Sequence, residues 1–201
     1  MIGLMLILQQ FIMNIKVIGV VGSIGSGKDE VLKYLKSRYS IPFTGTGDIV
    51  RLMAEKENLE ATRENLEAIS LRCFRDLGEG CFVRMAGEEI MGNKWKIAGI
   101  SGIRSPEDVE VLKGMFGNGF VLIRVNVSDP QLRFERLRHR SEERDPLTYE
   151  QFLIQDKNEE ETFHISLAGS KADYVIDNNG SLEDLHWQID TLVSTAGLLN
   201  L

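Results

Sequence analysis

Apolar residues in this chain gather in short clusters whose period changes along its length. Ile15–Val21 is a continuous apolar run ending in glycine, the pattern of a strand buried on both faces. Behind it, Val31, Leu32 and Leu35 recur at helical spacing within Lys28–Arg38. Ile41–Thr44 predicts a second strand. Asp48–Lys56, Thr62–Leu77 and Gly80–Met91 predict three helices, with Thr62 as an N-cap. Lys96–Ile100 predicts a third strand. Ser105-Pro106 then supplies a cap and an N1 proline for a helix to about Met115. Phe120–Val127 is the clearest strand, and Asp129-Pro130 repeats the cap-and-proline signal for a helix to about Arg140. Thr148-Tyr149-Glu150-Gln151 has the capping-box pattern, Tyr174–Ile176 predicts a fifth strand, and Ser181 opens the last helix.

Strands alternating with helices across short connections predict an α/β protein with one parallel sheet covered on both faces. Nothing in the chain reads as a repeat or linker, so one domain over residues 1–201 is expected. Two mobile inserts, about 47–92 and about 140–165, are expected within it.

Composition narrows the classes. At 43% hydrophobic and 26% charged, the chain can bury one sizeable core. Its formal net charge of −7 argues against a general nucleic-acid binder, while leaving room for a local basic pocket. Cys73 and Cys81 lie eight apart without a C-x-x-C, and His139, His164 and His186 are scattered. The expectation is two core thiols in a reducing cytosol, and no zinc or histidine metal centre. Residues 1–22 are apolar but lack the basic start and cleavage site of a signal peptide, and Gln9, Gln10, Asn14 and Lys16 break any membrane span. A cytoplasmic protein without membrane contact is therefore expected. Because 13-MNIKVIGVVG-22 is already a complete first strand, Met13 is a candidate start. Residues 1–12 are expected to pack against something, a homodimer partner being one candidate, because an exposed run such as Leu4–Leu8 would be sticky.

The chemistry begins at 22-GSIGSGK-28, between the first strand and first helix. The spacing G-x-x-x-x-G-K in a strand–loop–helix context is that of a phosphate-cradling loop. Backbone amides across Gly22, Ser23, Gly25, Ser26 and Gly27 would point at phosphate oxygens, and the helix start adds partial positive charge. Lys28 would reach the β- and γ-phosphates. The plainer alternative is a glycine-rich turn that binds nothing. The next residue, where a Ser or Thr hydroxyl usually sits on Mg²⁺, is Asp29. A carboxylate is a hard Mg²⁺ ligand, but without the metal it sets a negative charge beside the phosphates. Nucleotide binding should then depend strongly on the metal.

With the loop in place, 41-IPFTGTGDIVR-51 resembles the strand–turn–helix of adenylate kinases and related nucleoside monophosphate kinases. The stretches 62-TREN-65, 101-SGIRSPEDVEV-111, 126-NVSDP-130 and 173-DYVIDNNGS-181 are similar to an archaeal group of small P-loop proteins described as adenylate-kinase-like or dephospho-CoA-kinase-like. The similarity covers about residues 14–195. It implies a three-layer P-loop NTPase fold with a five-stranded parallel sheet in the order 2-3-1-4-5. It also implies ATP and Mg²⁺ as cofactors and a nucleotide-like small molecule as phosphate acceptor. Arg51 resembles the arginine that grips the acceptor phosphate, and Arg104 a second acceptor-side arginine. Arg136 and Arg140 resemble the paired arginines at the root of a lid. Asp48 resembles the acid near the metal or the attacking hydroxyl, and Asn178-Asn179-Gly180 falls where related kinases lay backbone against adenine. The archaeal relatives usually carry Asp-Gly-Ile-Arg where this chain has Ser101-Gly102-Ile103-Arg104. Asp29 and Ser101 thus exchange the expected hydroxyl and carboxylate of the metal site, either as a compensating pair or as two separate losses.

Elsewhere, 133-RFERLRHRSEER-144 holds five arginines in twelve residues. Arg133, Arg136 and Arg140 share a helix face suited to a triphosphate; the alternative is a solvated helix paired with Glu135, Glu142 and Glu143. Arg138 is expected to be structural. Asp48 could serve as a helix N-cap, and Arg51 and Arg104 as surface ion pairs. The run 156-DKNEEE-161 predicts a solvated acidic face, and Trp95 and Trp187 predict packing residues. Three functions remain open: a nucleotide kinase, with a nucleoside monophosphate or dephospho-CoA as acceptor; a nucleotide-dependent regulatory protein without turnover; and an RNA-associated ATPase, which the acidic charge disfavours.

Overall fold

The computed structural model describes residues 15–140 and 145–199. The apolar run after Ile15 becomes β1 (Lys16–Val21), which is buried from Val17 onward. It can be buried on both faces because a strand stands on each side of it. β3 (Ile97–Ser101) and β4 (Phe120–Asn126) flank it, with β2 (Phe43–Gly45) and β5 (Tyr174–Asp177) at the edges. Every pairing is parallel and the order is β2-β3-β1-β4-β5, as expected.

Side-chain alternation splits the core across the sheet. Val17, Val21, Ile100 and Leu122 face one layer, and Ile18, Val20, Ile123 and Val125 face the other. The first layer is built on α2 (Thr46–Lys56), α3 (Arg63–Leu77), α4 (Cys81–Gly92), α5 (Pro106–Phe116) and α8 (Ile165–Ser170). The second rests on α1 (Lys28–Tyr39) and α9 (Leu182–Thr195). A third, smaller cluster joins Phe134 and Leu137 of α6 (Pro130–Arg140) to Phe152 of α7 (Tyr149–Phe163), with Ile24 of the glycine-rich loop packed against it.

Three helix starts carry full capping boxes: Ser105 with Asp108, Thr148 with Gln151, and Ser181 with Asp184. Thr62 caps α3 by accepting from the Asn65 amide. Two expectations need correction. Asp48 is not an N-cap, because α2 starts at Thr46 behind Gly45 and leaves Asp48 in the first turn. Trp187 does not pack but is 69% exposed, whereas Trp95 does lie against the first core. The short α8 escaped the hydrophobic pattern, since six residues with Ile165 and Ala168 inward are too few to show a period.

Cys73 and Cys81 are both free and buried. Residues 1–12, with their expected packing and candidate role in a dimer, lie outside the described residues. Among the described residues no helix is long and apolar enough to cross a membrane.

Candidate active site

Parallel pairing brings the carboxyl ends of all five strands to one edge, and the glycine-rich loop leaves β1 there. Backbone conformation explains the glycines. Gly25 and Gly27 have φ of 75° and 91°, the left-handed region that side chains disfavour. A Cβ on Gly25 would fall 2.6 Å from the Arg133 carbonyl oxygen, and one on Gly27 would fall 2.4 Å from Asn178 Nδ2. The bend is closed by the Ser26 amide donating to the Ser23 carbonyl at 3.1 Å.

Two contacts brace the loop from outside. Asn178, buried at the end of β5, donates from Nδ2 to the Ser26 carbonyl at 2.8 Å. Arg133, only 7% exposed, donates to the Ile24 carbonyl at 3.1 Å and forks onto Asp156 at 2.6 and 2.8 Å. Asn178→Ala should therefore strand a buried carbonyl and cost about 1–3 kcal/mol. Denaturant unfolding measures this loss, and a cost near zero would mean the brace is dispensable.

Lys28 is half-buried, and its ammonium lies 3.5 Å from the Ser23 carbonyl. Loss of hydration lowers its pKa. The charges acting on it come from Asp29 and Glu159, which favour the ammonium, and from Arg104 and Arg140, which oppose it. Arg140 Nη1 lies 4.0 Å from Asp29 Oδ2, and its Nε donates to Asp145 at 3.1 Å. Lys28, Asp29, Arg104 and Arg140, separated by up to 112 positions in sequence, thus share one electrostatic neighbourhood.

A second group gathers around Gly45, which pairs with Ser101 across β2 and β3. A Cβ there would meet Ser101 Oγ at 2.7 Å and Asp48 Oδ2 at 2.8 Å. The glycine therefore leaves a hydroxyl and a carboxylate side by side in a space that a side chain would fill. Asp48 is ion-paired with Arg51 one turn along α2, and both are largely exposed. The Arg104 guanidinium stands over the Phe163 ring at 5.3 Å, and its amide donates to Asp108 Oδ2 at 2.9 Å.

A third group lies beyond β5. Arg136 Nη2 donates to the Gly180 carbonyl at 3.4 Å, while its Nη1 is buried without a partner. Burial lowers the Arg136 pKa. Asn179 Oδ1 accepts from the Ser128 amide and hydroxyl at 3.0 and 3.1 Å, which pins the Asn178–Gly180 turn to the end of β4.

The shared arginine face divides into three tasks. Arg133 is buried against the loop backbone, Arg136 reaches Gly180, and Arg140 bridges toward Asp29. The solvated acidic face on α7 is also corrected. Asp156 holds Arg133, Glu159 acts on Lys28, and Glu160 accepts from the Ser166 amide at the start of α8. Sequence reasoning missed Asn178 as a brace, the Arg133–Asp156 pair, and Glu159. A usable signal was present in the helical spacing of Phe152, Asp156, Glu159 and Phe163.

A hard cation could be held here by few protein ligands. Among the described residues no three His, Cys, Asp or Glu cluster as a metal cage. Asp29 beside the loop, with the Asp48–Ser101 pair around Gly45, instead suits Mg²⁺, which takes one or two carboxylates and completes its shell with phosphate and water.

Comparisons with known proteins agree with this architecture. A family profile described as an AAA domain matches residues 21–152. A UPF0200 protein of Pyrococcus horikoshii is 38% identical over 180 residues, covering 89% of this chain and 96% of the relative. A UPF0200 protein of Thermococcus kodakarensis is 34% identical over 176 residues, covering 87% and 94%. Among solved structures, the shikimate kinase of Acinetobacter baumannii superposes with a TM-score of 0.58 at 17% identity, covering 95% of this chain and 99% of that one. A gluconokinase of Sinorhizobium meliloti gives 0.57 at 14% identity, covering 94% and 99%. These two likenesses are of fold. The sequence relatives go further, because they match almost end to end, and by them the chain belongs to the UPF0200 family, on a P-loop kinase-like fold.

Proposed function

We propose that the protein is an ATP-dependent phosphotransferase that moves the γ-phosphate, with Mg²⁺, to a nucleotide-like small molecule, a nucleoside monophosphate being the first candidate. The observation that carries this reading is the braced loop. Its left-handed glycines are kept free of side chains, and Lys28 stands beside it among Asp29, Arg104 and Arg140.

In this reading an oxygen of the acceptor attacks the γ-phosphorus in line, the bond to the β–γ bridging oxygen breaks, and ADP leaves. The loop amides and Lys28 hold the β- and γ-phosphates. Arg140 reaches over the moving group, and Arg136 with the Asn178–Gly180 turn flanks the base. Asp48 takes or orients the acceptor's proton, and Arg51 and Arg104 position the acceptor in the segment of about 47–92. Asp29, with Ser101, would hold Mg²⁺, which when bound supplies charge neutralisation between the phosphates.

One observation favours a second acceptor class. Arg51 is already neutralised by Asp48, which suits a hydroxyl acceptor such as the ribose of dephospho-CoA better than a doubly charged phosphate. A screen of radiolabelled γ-phosphate transfer to nucleoside monophosphates and to dephospho-CoA, with and without Mg²⁺, tests both. Transfer to one class identifies the acceptor. Metal-dependent ATP binding with no transfer to any acceptor replaces the kinase with a regulatory nucleotide binder.

The same assay examines the exchange at positions 29 and 101. Asp29→Ser and Ser101→Asp should each lower turnover, and the double variant should recover beyond the worse single. A double variant no better than that single leaves two unrelated losses.

A further inference from the structure

Helix α7 turns toward the loop a face that is acidic, where a polyphosphate site calls for cations. Phe152, Asp156, Glu159 and Phe163 follow at i, i+4, i+7 and i+11, which places them on one side of the helix. Phe152 is buried in the cluster that holds Ile24 of the loop. Asp156 grips Arg133, which in turn holds the Ile24 carbonyl. At the far end Phe163 lies under the Arg104 guanidinium. Glu159 falls between these anchored turns. It is half-buried, and Gln155 donates to its Oε1 at 3.3 Å. Glu161, by contrast, is 65% exposed and pairs outward with Lys157 at 3.7 Å.

We infer that Glu159 is a built-in counter-anion of the phosphate loop: its carboxylate faces Lys28 in competition with the β- and γ-phosphates of a nucleotide, and α7 is a strap that the nucleotide must displace. This rests on the reading of the loop as a nucleotide site. Glu159 and Asp29 are the two carboxylates whose charge acts on that ammonium. A metal-free nucleoside diphosphate brings further negative charge to a lysine already balanced, whereas Mg²⁺ cancels part of it. Glu159 therefore biases the site toward the metal complex, which makes it a specificity determinant as well as a latch.

The test compares wild type, Glu159→Gln and Glu161→Gln in two measurements. In calorimetric titrations with ADP, Glu159→Gln should bind the metal-free nucleotide about tenfold tighter, the effect of deleting one nearby, partly screened charge. Its affinity for ADP with Mg²⁺ should change less, and Glu161→Gln should match wild type throughout. In hydrogen exchange on the nucleotide-free protein, the α7 amides of Glu159→Gln should exchange faster than those of wild type or Glu161→Gln. Unchanged or weaker ADP binding by Glu159→Gln overturns the inference, as does unchanged α7 exchange. If no variant binds ADP, the nucleotide reading of the loop fails on its own. The exchange measurement then still decides whether Glu159 latches α7.

Discussion

Lys28→Met should lower γ-phosphate transfer by about 10²–10³-fold while leaving the fold intact. The ammonium is the one lysine charge at the loop, and its removal deletes stabilisation aimed at the transferring group. Methionine keeps the length of the side chain, and the lost charge was already poorly hydrated and set near Arg104 and Arg140. The melting temperature should therefore not fall. Turnover at saturating ATP and a thermal melt check the two halves of the claim. Turnover near the wild-type level would remove Lys28 from the reaction, and a large drop in melting temperature would make its role structural.

Arg133→Met should be the most destabilising of the arginine substitutions, costing about 3 kcal/mol, the lower end for breaking a buried pair. The lower end applies because Asp156 keeps a 25% exposed side chain. Three contacts are lost together: the fork onto Asp156, the hydrogen bond to the Ile24 carbonyl, and the stacking of the guanidinium over Phe152 at 5.1 Å. In a chain of this size that corresponds to a fall of about 6–12 °C in melting temperature. Arg133→Met with Asp156→Leu should recover much of the loss, because no orphaned carboxylate is left behind. A single variant within 0.5 kcal/mol of wild type, roughly the level of an ordinary surface change, would place Arg133 outside the brace.

Much of the fold was legible before any coordinates. The strand in Phe120–Asn126 and the caps at Ser105, Thr148 and Ser181 could be read because burial period and capping chemistry are local properties of the chain. Helix α8 was illegible for the same reason, being too short to express a period. In the candidate site, the glycines of the loop could be read from their spacing. Asp48 was expected at a helix start and lies in the first turn. The arginines of α6 were legible as a cluster but not as three separate contacts, because a helix face says only which side chains travel together. What each one meets depends on α7, β5 and the loop, which come from distant parts of the chain.

The sequence by itself determined the alternation of strands and helices, the left-handed glycine bend after β1, and the inventory of cations and acids around it. Those follow from steric and hydrophobic preferences that act over a few residues. Tertiary structure alone decided that Asn178 holds the loop from 152 positions away, that Arg133 is spent on Asp156, and that Glu159 faces Lys28. Charge has no period along a chain. Whether a carboxylate faces solvent, a neighbour or a lysine is set by the packing of α7 on the loop, and that packing exists only once the sheet has brought the pieces together.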